Sequence, residues 1–353
     1  MITICDMGDF EQSHDNVSAP VVSVCVQTYQ QVKYISKCLD SILAQRTDFP
    51  FEIVLGEDES NDGTREICKA YQEKYPEKIR LFLRRRQDVI FIDGKPTGRY
   101  NMLENLRMAR GKYIALCEGD DYWIDTEKLS KQYAYLESHP TYSGVFTDMI
   151  RVNSEGELIR EDRRVPPGID KLETYMLMQM NAIHTCTFFF KRQVLTDKVM
   201  EFIKRMPYGD MSLFLCCSMC GPIGYIPDLT SAYRVNVGVM RRLDKAEKAR
   251  NGLKIRQALK MEFGRDEGLK QQYHIGKKGY YLRISEGLMA RGDFVEGLKV
   301  YVIFWLSSIY RIFPPYPVVA KIGIMDHFRP IRAAIRYFKN RLLSAQTAGR
   351  TIQ

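Results

Sequence analysis

Residues 109–123 read ARGKYIALCEGDDYW, and the fold is decided there. Tyr113 to Cys117 is short and apolar with no helical spacing, the pattern of a buried strand. It runs directly into Glu118-Gly119-Asp120-Asp121, so an acidic loop hangs on the carboxyl end of that strand. In front of it, a helix is predicted from about Arg99 to Ala109, with Gly111 as its C-cap.

Upstream, the same alternation repeats. Val21 to Val26 reads as a strand, and Ile35, Leu39, Ile42 and Leu43 have helical spacing. Phe51 to Leu55 is a second strand, running into Glu57-Asp58-Glu59-Ser60. Asp62 or Thr64 caps a helix that Pro76 stops, and Ile79 to Leu83 is a third strand. Strands alternating with helices predict an α/β fold with a mostly parallel central sheet flanked by helices. Ligands of such sheets bind beyond the carboxyl ends of the strands. Three of those ends carry Thr28-Tyr29, Glu57-Asp58 and the acidic quartet, so polar groups remote in sequence converge on one edge.

The 353-residue chain has room for one large α/β domain and an appendage. A polar leader (1–19) precedes the α/β domain (20–240), which reads as two halves, 20–125 and 126–240. Residues 241–353 read as a helical extension. Within it, 280–310 forms two helices broken at Arg291-Gly292-Asp293, and Arg329 to Leu343 forms a basic amphipathic helix. The apolar stripe of that last helix is Ile331, Ile335, Phe338 and Leu342. The odd count of nine cysteines, several inside apolar runs, fits reduced buried thiols, and Cys217-x-x-Cys220 reads as packing. The N-terminus lacks the basic and apolar regions of a signal peptide, and no stretch is long enough to span a bilayer. A cytoplasmic protein is expected, with the basic end as a possible foothold on anionic membrane.

Carboxylates at Glu118 and Asp120 are the ligand type that Mg²⁺ or Mn²⁺ takes beside a diphosphate. An acidic triplet alone is a weak signal. Joined to VVSVCVQTYQ (21–30), EIVLGEDESNDGT (52–64) and KLSKQYAYLESHP (128–140), it makes the chain closely resemble the inverting glycosyltransferase family with the GT-A fold, often called family 2. The resemblance is strong over about residues 20 to 150 and looser to about 240.

It implies donor contacts from Thr28, Tyr29, Asp58, Arg99, Glu118 and Asp120, with Tyr29 stacking on the base and Asp58 accepting a hydrogen bond from uracil. Asp120 and Glu118 become the metal ligands of a DxD-type motif. Asp210, in Tyr208-Gly209-Asp210, becomes the catalytic base. Trp123 and His184 are candidates for the sugar or acceptor wall. Gln30 stands where the family usually has asparagine, Glu59 where glycine is common, and Asn236 where many relatives have histidine.

The function implied is metal-dependent transfer of a sugar, of hexosyltransferase type, from a nucleotide-sugar (a UDP-sugar) to a hydroxyl of a glycan or lipid-linked acceptor, with inversion, in surface polysaccharide or glycolipid assembly. A sugar nucleotidyltransferase is disfavoured, because QTYQQVKY (27–34) has no glycine to cradle a triphosphate. A silent carbohydrate-binding or scaffold protein has no use for acids at three strand ends. Nucleic acid is not an expected partner, since the basic tail has few aromatics among its charges.

Overall fold

The computed structural model describes residues 19–179, 181–235, 237, 244–264, 267–309 and 328–337. The leader before residue 19, Asn236, and Phe338 and Leu342 of the terminal stripe lie outside the described residues. The chain divides into two compact units: Met1–Leu177 with Asn181–Arg241, and Met178–Met180 with Arg242–Gln353.

In the first unit the alternation appears as expected. The elements run β1 (Val22–Thr28), α1 (Ile35–Leu43), β2 (Phe51–Glu57), α2 (Thr64–Lys74) and β3 (Ile79–Leu83). A small hairpin of β4 (Phe91–Ile92) and β5 (Lys95–Pro96) precedes α3 (Arg99–Met108), β6 (Tyr113–Glu118), β7 (Tyr122–Trp123) and α4 (Lys128–Ser138). The second half holds β8 (Gly144–Val152), β9 (Leu158–Asp162), β10 (Lys171–Leu172), α5 (Thr174–Gln179), β11 (Phe189–Lys191), α6 (Asp197–Arg205), α7 (Gly209–Cys220) and β12 (Ile223–Arg234).

The large sheet has the order β10-β12-β8-β11-β6-β1-β2-β3. Strands β3, β2, β1 and β6 are parallel neighbours, and β11 runs antiparallel between β6 and β8. β1 is covered on both faces, which is why it reads as a near-continuous apolar run. Val22, Val24 and Val26 pack in one core cluster with Ile35, Leu39 and Ile42 of α1. On the other face Asn105 of α3 donates to the Val26 carbonyl at 2.8 Å, and the Cys25 thiol lies 3.6 Å from the Asn105 carbonyl.

Gly111 is not the C-cap expected of it. α3 ends at Met108, and a Cβ on Gly111 would lie 2.6 Å from the Ser23 amide nitrogen, so glycine is required there by close approach to β1. The expectation of reduced cysteines holds for seven free buried thiols but not for Cys220, which is disulfide-bonded. Cys217 is one of the free ones, so Cys217 and Cys220 are not bonded to each other.

The second unit contains α8 (Lys245–Phe263), α9 (Glu267–Arg291), α10 (Phe294–Ile309) and a helical stretch at 329–337. Asp244 caps α8 by accepting from the Glu247 amide at 2.8 Å. The predicted break falls between α9 and α10, where Gly292 has φ 97°. Buried Arg256 donates to the carbonyls of Met178 and Gly252 and lies under the Tyr280 ring. Among the described residues no helix is long and apolar enough to cross a membrane.

Candidate active site

Strand register builds the site. Thr28 is the neighbour of Glu57 across β1–β2, and Gln27 of Glu118 across β1–β6, so the three polar strand ends do meet at one edge. Glu118, Asp120 and Asp121 each bring a carboxylate oxygen to within 4.8 Å of the others. Gly119 lets the loop turn that closely: a Cβ there would lie 2.4 Å from Gln31 Oε1 and 2.9 Å from Thr28 Cβ.

Burial together with mutual repulsion disfavours negative charge at this edge. Burial, then the charges of Asp120 and Asp210, push Glu118 up to about 8. Asp120 is also raised by burial, with Arg234 and a hydrogen bond from Gln31 pulling the other way. Asp121 is raised by burial and by both neighbouring acids. Its Oδ1 accepts from the Arg234 amide at 2.8 Å, while Oδ2 is buried without a partner. Among the described residues no lysine or arginine side chain forms an ion pair with these three acids. Three closely set carboxylates, two of them buried, with no ion-paired side chain and one unpartnered oxygen fit a hard divalent cation, which would remove the repulsion.

A second cluster sits at the ends of β2 and β3. Asp58 is buried, with Oδ2 ion-paired to Arg86 and Oδ1 lacking any partner. The Arg86 guanidinium also lies 4.3 Å from the centre of the Tyr29 ring, and Tyr29 is 42% exposed. Arg86 was the residue missed. Arg84-Arg85-Arg86 looks like a solvated strand end, yet Arg84 is bound to Asn101 and Asn105 of α3, and Arg86 faces the Asp58 carboxylate. The signal available was register: β3 runs beside β2, so residues just past Leu83 fall beside Asp58.

Thr28 is buried and its hydroxyl donates to Gln31 at 2.8 Å, so it orders the loop that reaches Asp120. Neither Asp62 nor Thr64 is the N-cap of α2, a place Gly63 takes; Asp62 instead closes a local turn, its carboxylate accepting from the Thr64 amide at 3.0 Å and the Val32 amide at 3.1 Å.

Arg99, a donor contact by the resemblance, has its partners in the protein. It is buried, and its guanidinium donates to the carbonyls of Ile203, Met206 and Pro207, across the turn from α6 to α7. Burial lowers it to about 10, and the Asp210 charge acts in the opposite direction. Asp210 itself lies in the first turn of α7, close enough for its charge to raise Glu118. Burial raises Asp210, against the amide of Met211 and the charge of Arg99.

Trp123, a candidate for the sugar wall, is placed in the core. It is 4% exposed in the main core, with its indole N–H donating to the Cys186 carbonyl at 3.0 Å. His184 packs on Tyr233 with ring centres 4.9 Å apart, and its Nε2 has no hydrogen-bond partner. Desolvation, then the charges of Arg164 and Arg151, pull it down to about 3, so it is neutral. Arg234, at the end of β12, ties the site together. Its Nε donates to the Asp120 carbonyl at 3.0 Å, and its Nη1 donates to the carbonyls of Asn153 and Ser154.

A mixed α/β sheet with polar and acidic groups gathered at its strand ends is the arrangement in which such sheets bind ligands. The chain belongs to glycosyl transferase family 2, whose family model matches residues 23–199. An uncharacterized protein of Mycobacterium tuberculosis is 34% identical over 215 residues, 60% of this chain and 58% of its own. An uncharacterized glycosyltransferase of Methanocaldococcus jannaschii is 29% identical over 167 residues, covering 47% and 54%. The chain thus matches little more than half the length of these curated relatives. Among solved structures, Staphylococcus aureus TarS 1–349 in complex with UDP-GlcNAc superposes with a TM-score of 0.54 at 18% identity, over 90% of this chain and 89% of that one. The mannosyltransferase PcManGT of Pyrobaculum calidifontis, in complex with GDP-Man and Mn²⁺, gives 0.51 at 16% identity, over 91% and 87%. At these identities the likeness is one of fold.

Proposed function

We propose that this enzyme transfers a hexosyl group from a UDP-sugar to a hydroxyl of a glycan or lipid-linked acceptor, with inversion and with Mg²⁺ or Mn²⁺, in surface polysaccharide or glycolipid assembly. The observation that carries it is the Glu118, Asp120 and Asp121 cluster within 4.8 Å, on the same sheet edge as the Tyr29–Asp58–Arg86 cluster. The charge pattern of the second cluster favours uracil. Guanine offers adjacent N–H groups that need both oxygens of a carboxylate, whereas uracil offers one N–H between two carbonyls. Asp58 has one oxygen left and Arg86 stands beside it as a donor, which suits uracil.

Glu118, Asp120 and Asp121 would hold the cation, which supplies counter-charge for the departing diphosphate. Asp210 takes the proton of the acceptor hydroxyl, and that oxygen bonds to C1 as the C1–O bond to the diphosphate breaks. The diphosphate leaves with the electron pair. A carboxylate raised by burial is a better base than an exposed one. One displacement with one base requires no enzyme nucleophile, hence inversion. Neutral His184, whose buried Nε2 has no hydrogen-bond partner, remains the candidate for the acceptor wall. The enzyme acts at the cytoplasmic face of an anionic membrane, held there peripherally by its basic C-terminal segment.

The test is a panel of nucleotide sugars, read by thermal stabilisation and metal-dependent hydrolysis. UDP-sugars should stabilise and be hydrolysed with Mn²⁺, and Asp120→Asn should lose about 10²-fold or more in rate while keeping its far-UV spectrum. Full turnover in excess chelator, or by Asp120→Asn, removes the metal assignment. A response to GDP-sugars alone removes the uracil reading.

A further inference from the structure

The helix α10 is apolar on two faces. Tyr301 and Phe304 are buried in one cluster with Leu282 of α9. On the outward side Val295 is 73%, Leu298 54% and Val302 46% exposed, and Ile303 and Trp305 are exposed beside them. Positions i, i+3 and i+7 form one stripe on a helix. A helix apolar all round belongs in a core, yet this stripe faces outward. The exposed acid nearest the stripe, Glu296, is paired with Lys299 at 3.6 Å.

Charge says what covers it. Residues 242–353 hold 22 lysines and arginines against 9 acids, whereas residues 1–241 hold 30 against 34. The whole basic surplus therefore lies in the unit that carries the bare stripe. A second copy would bring an equally basic unit against it, which is unfavourable. Anionic lipid offers both the hydrocarbon and the counter-charge. The 16 residues of α10 span about 24 Å at ~1.5 Å each, too short to cross a bilayer but suited to lying in its interface.

We infer that the outward stripe of α10 is the surface by which this enzyme docks on an anionic bilayer; this rests on the peripheral-membrane reading above and assigns it to one helix. Val295, Leu298, Val302 and Ile303 enter the acyl boundary, and basic residues of the same unit meet the headgroups.

The experiment is co-sedimentation of the full chain with vesicles of phosphatidylcholine alone or with 30% phosphatidylglycerol (about physiological salt, then about 1 M). Binding should require the anionic lipid and fall in high salt. Leu298→Gln with Val302→Gln should weaken it about tenfold or more, leaving hydrolysis of soluble donor unchanged. Equal binding to neutral vesicles overturns the inference. So does a salt-stable dimer that the double variant dissociates. If the double variant binds normally while Ile331→Gln with Ile335→Gln abolishes binding, the terminal helix is the foothold; the peripheral reading then stands and the assignment to α10 falls. No binding by any form removes both.

Discussion

At the residue scale, the departures of this chain from its family have a backbone meaning. Gln30 and Glu59 stand where asparagine and glycine are usual, and both have positive φ, 55° and 60°. That region is costly for residues with a Cβ, least so for asparagine, and open to glycine, which has none. Both lie in the loops that hold Tyr29 and Asp58. Gln30 is tied down by its amide to Ser60 Oγ at 2.9 Å, and Glu59 accepts from the Arg86 amide. The strain is therefore held by hydrogen bonds between the two loops of the base cluster. Gln30→Asn should stabilise the fold by about 0.5–1 kcal/mol in urea titration, since it eases the backbone and keeps an amide side chain. Gln30→Val should destabilise it by more than that. Equal stability of all three would mean that φ is relaxed in solution.

At the element scale, α7 carries Asp210 and the turn before it is bracketed by Arg99. A carboxylate in the first turn faces the positive end of the helix, which favours its charge, and burial opposes that. One guanidinium reaching three carbonyls fixes the approach of α7 to α3. Arg99→Lys keeps the charge and loses the fork, so Asp210 shifts while the donor site stays. Expected is a fall in kcat of about tenfold with donor KM unchanged, against about 10²–10⁴-fold for Asp210→Asn. If Arg99 instead touches the donor, Arg99→Lys raises donor KM, and steady-state kinetics separates the two.

At the scale of the whole molecule, stability depends on keeping a neutral imidazole inside. Arg151 and Arg164 face His184, Asp162 opposes them with its Oδ2 3.9 Å from Nε2, and Tyr233 covers the ring. With its folded value near 3 and its unfolded value near 6.5, His184 binds a proton more readily once the chain unfolds. Its contribution is complete above pH 6.5 and is lost as pH falls through the window down to 3, at about 1.4 kcal/mol per unit. At pH 5 the wild type should have lost about 2 kcal/mol more, relative to pH 7, than His184→Gln. Urea titrations of both proteins at the two values give that difference with the carboxylates in common. Equal losses would mean that the ring protonates without unfolding.

What could be read from the chain alone was set by local physics. Period, strand apolarity and helix stops determine β1 to β3 and β6, and the acids at Glu118 and Asp120 stand at a strand end because the apolar run stops there. The break at Gly292 and the Asp62 turn are equally local. Roles that depend on partners distant in sequence were not legible. Arg86 and Arg84 belong to one basic run, but only the register of β3 on β2 gives one an acid and the other two asparagines. Trp123 follows the acidic loop directly, yet the β7–β12 pairing turns it into the core. Arg99 and Asp210 meet across more than a hundred residues, and α6 decides that Arg99 holds carbonyls. A side chain's role depends on which groups desolvate it and which pair with it, and for these residues both come from other strands and helices.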